Sequence, residues 1–326
     1  MNKTFYNKWQ ELLDLKIDDS RVVITNCFLS LEAKTRLYIG RSLEAQFVYI
    51  EFAKSSLDNL NLPIVKGLET IRVSEPKIDK TKDYIKISNK TNNKELFVAF
   101  SSSLYDLLVN TTDYYSAYNA LVITIKEYQS FFSNVNNSLS LQEEQGLCAE
   151  LIELSALIDK KGEDVVMNWM GPSRNKRDFL FDKTALEIKS TLGQVDSSIL
   201  ISNENQLTLS FPYTLEKLFL KVYILEKSKD GIDIVSTAQE ILSKLSNINN
   251  KSCFIVNLLK MKVDLKSYKC KYHFSIQDTK RYSIVEPFPK ISKEMLAKGI
   301  FNVKYRVHLD AIKEFEITEE ELYEQL

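Results

Sequence analysis

The sequence predicts a mixed α/β (α+β) protein in three parts: a β-rich N-terminal domain over 1–135, a central core over 136–248 and a small C-terminal α+β extension over 249–326. Three observations predict it. Short apolar runs with strand-like alternation recur before residue 100. A long stretch with helical spacing opens at Ser140 and is followed by further strand-like runs. Two polar, asparagine-rich breaks, 133–140 and 246–252, separate the parts. With 326 residues and 44% hydrophobic content the chain is long and apolar enough to bury a substantial core.

In the first part, the runs 22–31, 36–39, 47–52, 84–87 and 96–100 read as strands. Helices over about 102–110 and 113–132 close it. This part contains no catalytic constellation, and it suits reading DNA, docking a partner or bracing the core equally well. The central part opens with a helix over 140–160. Ser140 stands as N-cap with Glu143 three residues on, a capping box. Leu147, Leu151, Leu154 and Ile158 then recur at helical spacing. Glu150 falls beside that stripe, so its carboxylate belongs either to the solvated margin or to a site.

A strand is predicted over 165–170, a turn at Gly171-Pro172, and then the basic cluster Arg174, Lys176 and Arg177 immediately before Asp178. From Asp178 to Lys189 the chain reads as a hairpin turning at Asp182-Lys183. A two-residue turn places Asp178 opposite Glu187, and alternation brings Lys189 to the same face. Phe179, Phe181, Leu186 and Ile188 take the other, apolar face. Two carboxylates held that close call for a cation between them, and Mg²⁺, which takes oxygen ligands and keeps waters, suits the site. Asp178 and Glu187 are the metal ligands in this reading, with the Ile188 carbonyl, and Lys189 orients the attacking water. An ordinary surface hairpin with solvated salt bridges has the same spacing. A strand over 218–226 and a helix over 237–245 complete the core.

Whole-chain properties exclude other chemistries. Cys27, Cys148, Cys253 and Cys270 lack CxxC spacing, so neither a zinc ribbon nor a disulfide framework is indicated. The two histidines, His273 and His308, stand far in sequence from the acids. No phosphate-binding Gly-x4-Gly-Lys-Ser/Thr loop occurs, so an ATP-driven step belongs to another protein. The sequence shows no apolar signal region and no run of membrane-spanning length, which places the expected setting in the cytoplasm. Net charge is −1, so nucleic-acid affinity has to come from local charge. Residues 251–283 offer it: Lys251, Lys260, Lys262, Lys266, Lys269, Lys271, Lys280 and Arg281, with Tyr268, Tyr272 and Phe274 interleaved, stand against Asp264 and Asp278. A phosphate-tracking surface and a lysine-rich strand pair both fit this pattern. The glutamate-rich tail after residue 313 reads as solvated or partner-facing.

The chain resembles the PD-(D/E)XK motif protein family, within the restriction-endonuclease-like superfamily. The resembling residues are 146–151, Trp169 with Gly171-Pro172, Asp178-Phe179, Glu187 to Thr191, Ile201-Ser202 with Gln206-Leu207, and the closing segments 288–291, 299–300 and 303–305. Arg177 stands where the superfamily motif has its proline. The resemblance implies a restriction-endonuclease-like αβββαβ core and a Mg²⁺-dependent DNA endonuclease of antiphage defence, with Mn²⁺ substituting for Mg²⁺. It makes Glu150, Asp178, Glu187 and Lys189 the active-site quartet, Glu150 joining the metal ligands. Arg174, Lys176, Arg177, Ser190, Thr191 and Gln206 are then candidate DNA contacts. Expected partners are DNA, a second copy of the chain, and defence-operon proteins such as a helicase-like ATPase or a methyltransferase. A catalytically silent nuclease-fold scaffold is the alternative, and a repair or junction-resolving nuclease would share the chemistry.

Overall fold

The structure, a computed structural model, describes residues 3–326 apart from 19–20, 58–59, 76, 92, 133–138, 172–176, 194–197, 210–213 and 266. The chain divides into two compact units, Met1–Asn136 with Ser246–Leu259, and Asn137–Leu245 with Lys260–Leu326. The expected C-terminal part is therefore shared between them.

The first unit holds helix α1 (Lys3–Asp14) and strands β1 (Val23–Cys27), β2 (Leu37–Arg41), β3 (Gln46–Ala53), β4 (Leu68–Val73) and β5 (Lys82–Asn89). These strands form an antiparallel sheet in the order β1-β2-β3-β5-β4. Helices α2 (Lys94–Leu108), α3 (Tyr114–Phe132) and α6 (Ile248–Lys260) complete the unit. Alternation along β3 and β5 sends Val48, Ile50, Phe52, Ile85 and Ile87 into a core with Trp9, Phe97, Leu121 and Val256. The opposite face of the sheet carries a smaller cluster of Tyr38, Phe47, Tyr49 and Tyr84. The expected strand 96–100 is instead the first turns of α2. Asn93 caps it by accepting the Leu96 N–H at 3.0 Å, and all five residues of the run are buried. A continuous apolar run carries no period that separates strand from helix.

The second unit opens with α4 (Leu141–Lys161). Its capping box forms as the sequence predicts: Ser140 Oγ accepts the Glu143 N–H at 3.3 Å, and Glu143 returns a carboxylate to the Ser140 N–H at 2.8 Å. Gly162, at φ 88°, ends the helix. The strand expected over 165–170 is a 3₁₀ helix, Glu163–Asn168, that buries Val165 and Val166; strand pairing survives there as one bridge from Trp169 to Phe179. The main sheet runs β10-β9-β7-β6, built from β6 (Phe179–Phe181), β7 (Thr184–Leu192), β9 (Lys217–Ile232) and β10 (Phe274–Ser283), with β7 and β9 parallel. A second, two-stranded sheet pairs β8 (Ser198–Ile201) with β11 (Tyr305–His308).

Helix α5 (Ile234–Lys244), capped by Asp233, occupies the place of the expected helix 237–245. The acidic tail ends in α7 (Glu319–Gln325), which buries Leu322 and Tyr323 while Glu319 pairs with Arg281 at 2.6 Å. The basic stretch 251–283 is not one element. Lys251 lies on α6 in the first unit, Lys269 to Arg281 belong to the second, and Lys266 lies outside the described residues. Among the described residues no helix is long and apolar enough to cross a membrane.

Candidate active site

The hairpin forms in the register that the two-residue turn requires. Asp182 adopts φ 46°, and Phe179, Leu180 and Phe181 pair with Leu186, Ala185 and Thr184. Extended by one residue, that register sets Asp178 opposite Glu187. Leu186 and Ile188 are buried on the apolar face with Phe179, as expected. The acid-bearing face is not a solvated surface, however. Leu180, Ala185 and Leu220, the register partner of Glu187 on β9, pack into a core with Ile199, Ile201 and Val222. Glu187 is only 1% exposed and its neighbour Lys189 15% at the side chain. The ionisable groups stand at the rim of an apolar wall.

Each is held by short-range contacts. Lys189 Nζ meets Glu187 Oε1 at 2.6 Å. Asp178 Oδ2 accepts the Ile188 N–H at 2.7 Å, and its carbonyl oxygen accepts the Met170 N–H at 2.7 Å. Because a strand residue's N–H and C=O leave on the same side, the Ile188 carbonyl faces that edge too. Glu150 reaches from α4 and accepts the Trp169 Nε1–H at 2.8 Å. Gly171 makes room for it: a Cβ there would lie 2.4 Å from Glu150 Oε2. Glu150 is thus turned toward Trp169 and Gly171.

Electrostatics tie the four groups together. Burial, with the charge of Glu187 added, pushes Glu150 up to about 7, against the pull of the Trp169 hydrogen bond and Lys189. Burial raises Asp178 well above the usual carboxylate range, helped by Glu187 and Glu150 and opposed by Lys189 and the Ile188 N–H. Burial works against the Lys189 ammonium, but Glu187, Asp178 and Glu150 outweigh it and its pKa rises. Three acids facing one amine leave negative charge in excess. Glu187 Oε2 is buried without a hydrogen-bond partner, an acceptor that suits a cation. Among the described residues no three acid, histidine or cysteine side chains converge closely enough to cage a metal alone.

The candidate DNA contacts fare differently. Arg174, Lys176 and the expected turn residue Pro172 lie outside the described residues. Arg177 is a correction: 1% exposed, it turns inward and donates to the carbonyls of Asn205 and Gln206, each at 2.9 Å, and of Thr208. A guanidinium has five donors, so loop carbonyls satisfy it as phosphates would. Thr191 is buried, Ser190 accepts from Gln145 Nε2 at 3.0 Å, and Gln206 Oε1 accepts the Ser202 N–H at 2.7 Å.

Sequence reading missed the support behind the site. Trp169 fixes Glu150, yet nothing local in the sequence announces the pair. One turn along α4, Glu153 forms a closed ion pair with Lys221 at 2.5 Å. Lys221 Nζ donates to Tyr323 Oη at 2.9 Å, and Tyr223 Oη donates to Glu153 Oε2 at 2.6 Å. A lysine inside the apolar run of β9 was the available signal.

No curated protein and no solved structure matches this chain. A family model described as "Putative PD-(D/E)XK family member, (DUF4420)" matches residues 6–310. Nucleases of this kind generally use divalent metal ions, in keeping with the acid cluster. The mixed α+β fold is nuclease-like, and the chain belongs to this PD-(D/E)XK family.

Proposed function

We propose that this protein is a Mg²⁺-dependent endonuclease that hydrolyses DNA phosphodiester bonds in restriction-like antiphage defence in the cytoplasm. The observation that carries the chemistry is the partnerless, buried Glu187 Oε2 opposite Asp178, with Lys189 on the same face. Asp178 and Glu187, with the Ile188 carbonyl, would hold Mg²⁺ with Glu150 as a neighbouring acid, and the ion when bound would supply positive charge to the phosphate and an acidified water. Asp178 is pinned through both its carboxylate and its carbonyl, so it presents its remaining oxygen, Oδ1, without reorganisation. Trp169 and Gly171 aim Glu150. Lys189 Nζ orients the attacking water and balances charge that develops on the phosphate oxygens. Water adds to phosphorus as the bond to the leaving sugar oxygen breaks. The defence setting and its partner proteins rest on the family resemblance alone.

Asp178→Ala and Lys189→Ala test the reading on plasmid DNA with Mg²⁺. Each is expected to lower cleavage by roughly 100-fold or more, the scale for losing a group that stabilises the transition state. Circular dichroism should remain that of the wild type. Undiminished cleavage by both variants refutes the assignment, and a wild type inert with Mg²⁺ and Mn²⁺ on every DNA form favours the silent scaffold.

A further inference from the structure

Beside the candidate site the chain makes a tight turn that puts apolar side chains outward. Ile300 N–H donates to the Ala297 carbonyl at 3.0 Å, and Gly299 takes φ 94°, the third position of a type II turn. Asn302, at φ 56°, reverses the chain again. Between them Ile300 is 53% and Phe301 74% exposed, and Met295 nearby is 67% exposed. Neighbouring apolar side chains at a polar loop tip offer a surface that a ligand can cover. Lys293, Lys298 and Lys304 are exposed around this tip, and Glu294 is the sole acid from 293 to 304.

The tip is fastened to the machinery. Glu204, 4% exposed, accepts the Val303 N–H at 2.9 Å and the Asn302 N–H at 3.4 Å. The next residues, Asn205, Gln206 and Thr208, give their carbonyls to Arg177, whose neighbour in sequence is Asp178. Tyr305, which pairs with Ile201 across the two-stranded sheet, lies within the field of Lys189. Hydrogen bonds through Glu204 and Arg177, with their chain neighbours, thus link the backbone next to Phe301 to that of Asp178.

We propose that the Ile300–Phe301 tip is a stacking wedge that binds an unpaired base of a nucleic-acid strand, with Lys298 and Lys304 on its phosphates. The inference rests on the reading of the neighbouring site as a phosphodiesterase. Lysines favour a polyanion over a basic or neutral partner, and an exposed aromatic ring favours a base face that a closed duplex does not offer. The favoured substrate is therefore DNA with a single-stranded segment, a flap or a junction beside the cut.

Binding is measured by fluorescence anisotropy with labelled single-stranded, flapped and blunt duplex oligonucleotides, in Ca²⁺ to prevent cleavage. Phe301→Ala is expected to weaken single-strand and flap binding by about 5- to 150-fold, the range for loss of one stacked base. Blunt duplex binding should change less than about twofold, and Phe301→Trp should restore the loss. Lys298→Gln with Lys304→Gln should weaken all three and flatten the salt dependence. Equal binding by wild type and Phe301→Ala on every substrate overturns the inference, as does a wild type that binds none of them. Asp178→Ala separates the two claims. In the Asp178→Ala background Phe301→Ala should still weaken single-strand and flap binding, and undiminished cleavage by Asp178→Ala sinks the phosphodiesterase reading whatever Phe301 does.

Discussion

Replacing Glu150 by glutamine keeps the acceptor for the Trp169 Nε1–H and removes one negative charge from the cluster. Glu150 titrates near 7 in the folded protein against an ordinary value of 4.5. The folded form therefore holds the proton more tightly than the unfolded chain does. The contribution of Glu150 to the stability of the metal-free protein is full below pH 4.5, is lost as pH rises through 7, and levels off above it. The gap corresponds to at most about 3 kcal/mol, reduced in practice because the carboxylate is half-buried and partly screened. The assay is urea denaturation in EDTA at intervals from pH 5 to 8. Wild type should lose on the order of 1–3 kcal/mol across that range, and Glu150→Gln distinctly less. Mg²⁺, binding the ionised cluster, should restore wild-type stability at pH 8 and do less for the variant. Identical pH profiles for the two proteins would refute the placement of Glu150 among the acids.

Other perturbations have equally definite outcomes. Gly171→Ala drives a methyl into Glu150 Oε2 and should cut Mg²⁺-dependent cleavage about 10-fold or more while costing roughly 1–3 kcal/mol of stability; cleavage and melting curves check both. Lys221→Met leaves Glu153 buried without its cation and should destabilise by about 3–5 kcal/mol. The double variant with Glu153→Leu should recover much of that loss in chemical denaturation. Arg177→Met strands three loop carbonyls and should cost several kcal/mol, on the scale of removing one partner of a buried charged group. It should not change the salt dependence of DNA binding, as loss of a phosphate contact would.

What the sequence could reveal follows from how local each signal is. The hairpin register was legible because a two-residue turn and period-two alternation determine it within twelve residues, Asp178 to Lys189. The Ser140–Glu143 capping box is likewise complete in four. The run 96–100 misled because an apolar run buried all round carries no period, and 165–170 because six residues are too few to show one; the Asn93 cap and the Gly162 stop decide these segments. Arg177 misled for another reason. A cationic side chain next to an acid looks solvent-facing until the loop 205–208 folds back to supply carbonyls. Glu150 was undecided in sequence because its partners, Trp169 and Gly171, arrive only once the 3₁₀ helix turns the chain back along α4. The link from Glu204 to the 299–302 turn spans about a hundred residues, beyond any local pattern.

The central claim is that Asp178 and Glu187 share a divalent cation, and anomalous diffraction from a crystal soaked in Mn²⁺ tests it most directly. The account expects a peak between the two carboxylates, with Glu187 Oε2 among its ligands and Lys189 released from Glu187. A peak absent at saturating Mn²⁺, with the 2.6 Å Lys189–Glu187 pair intact, would contradict it.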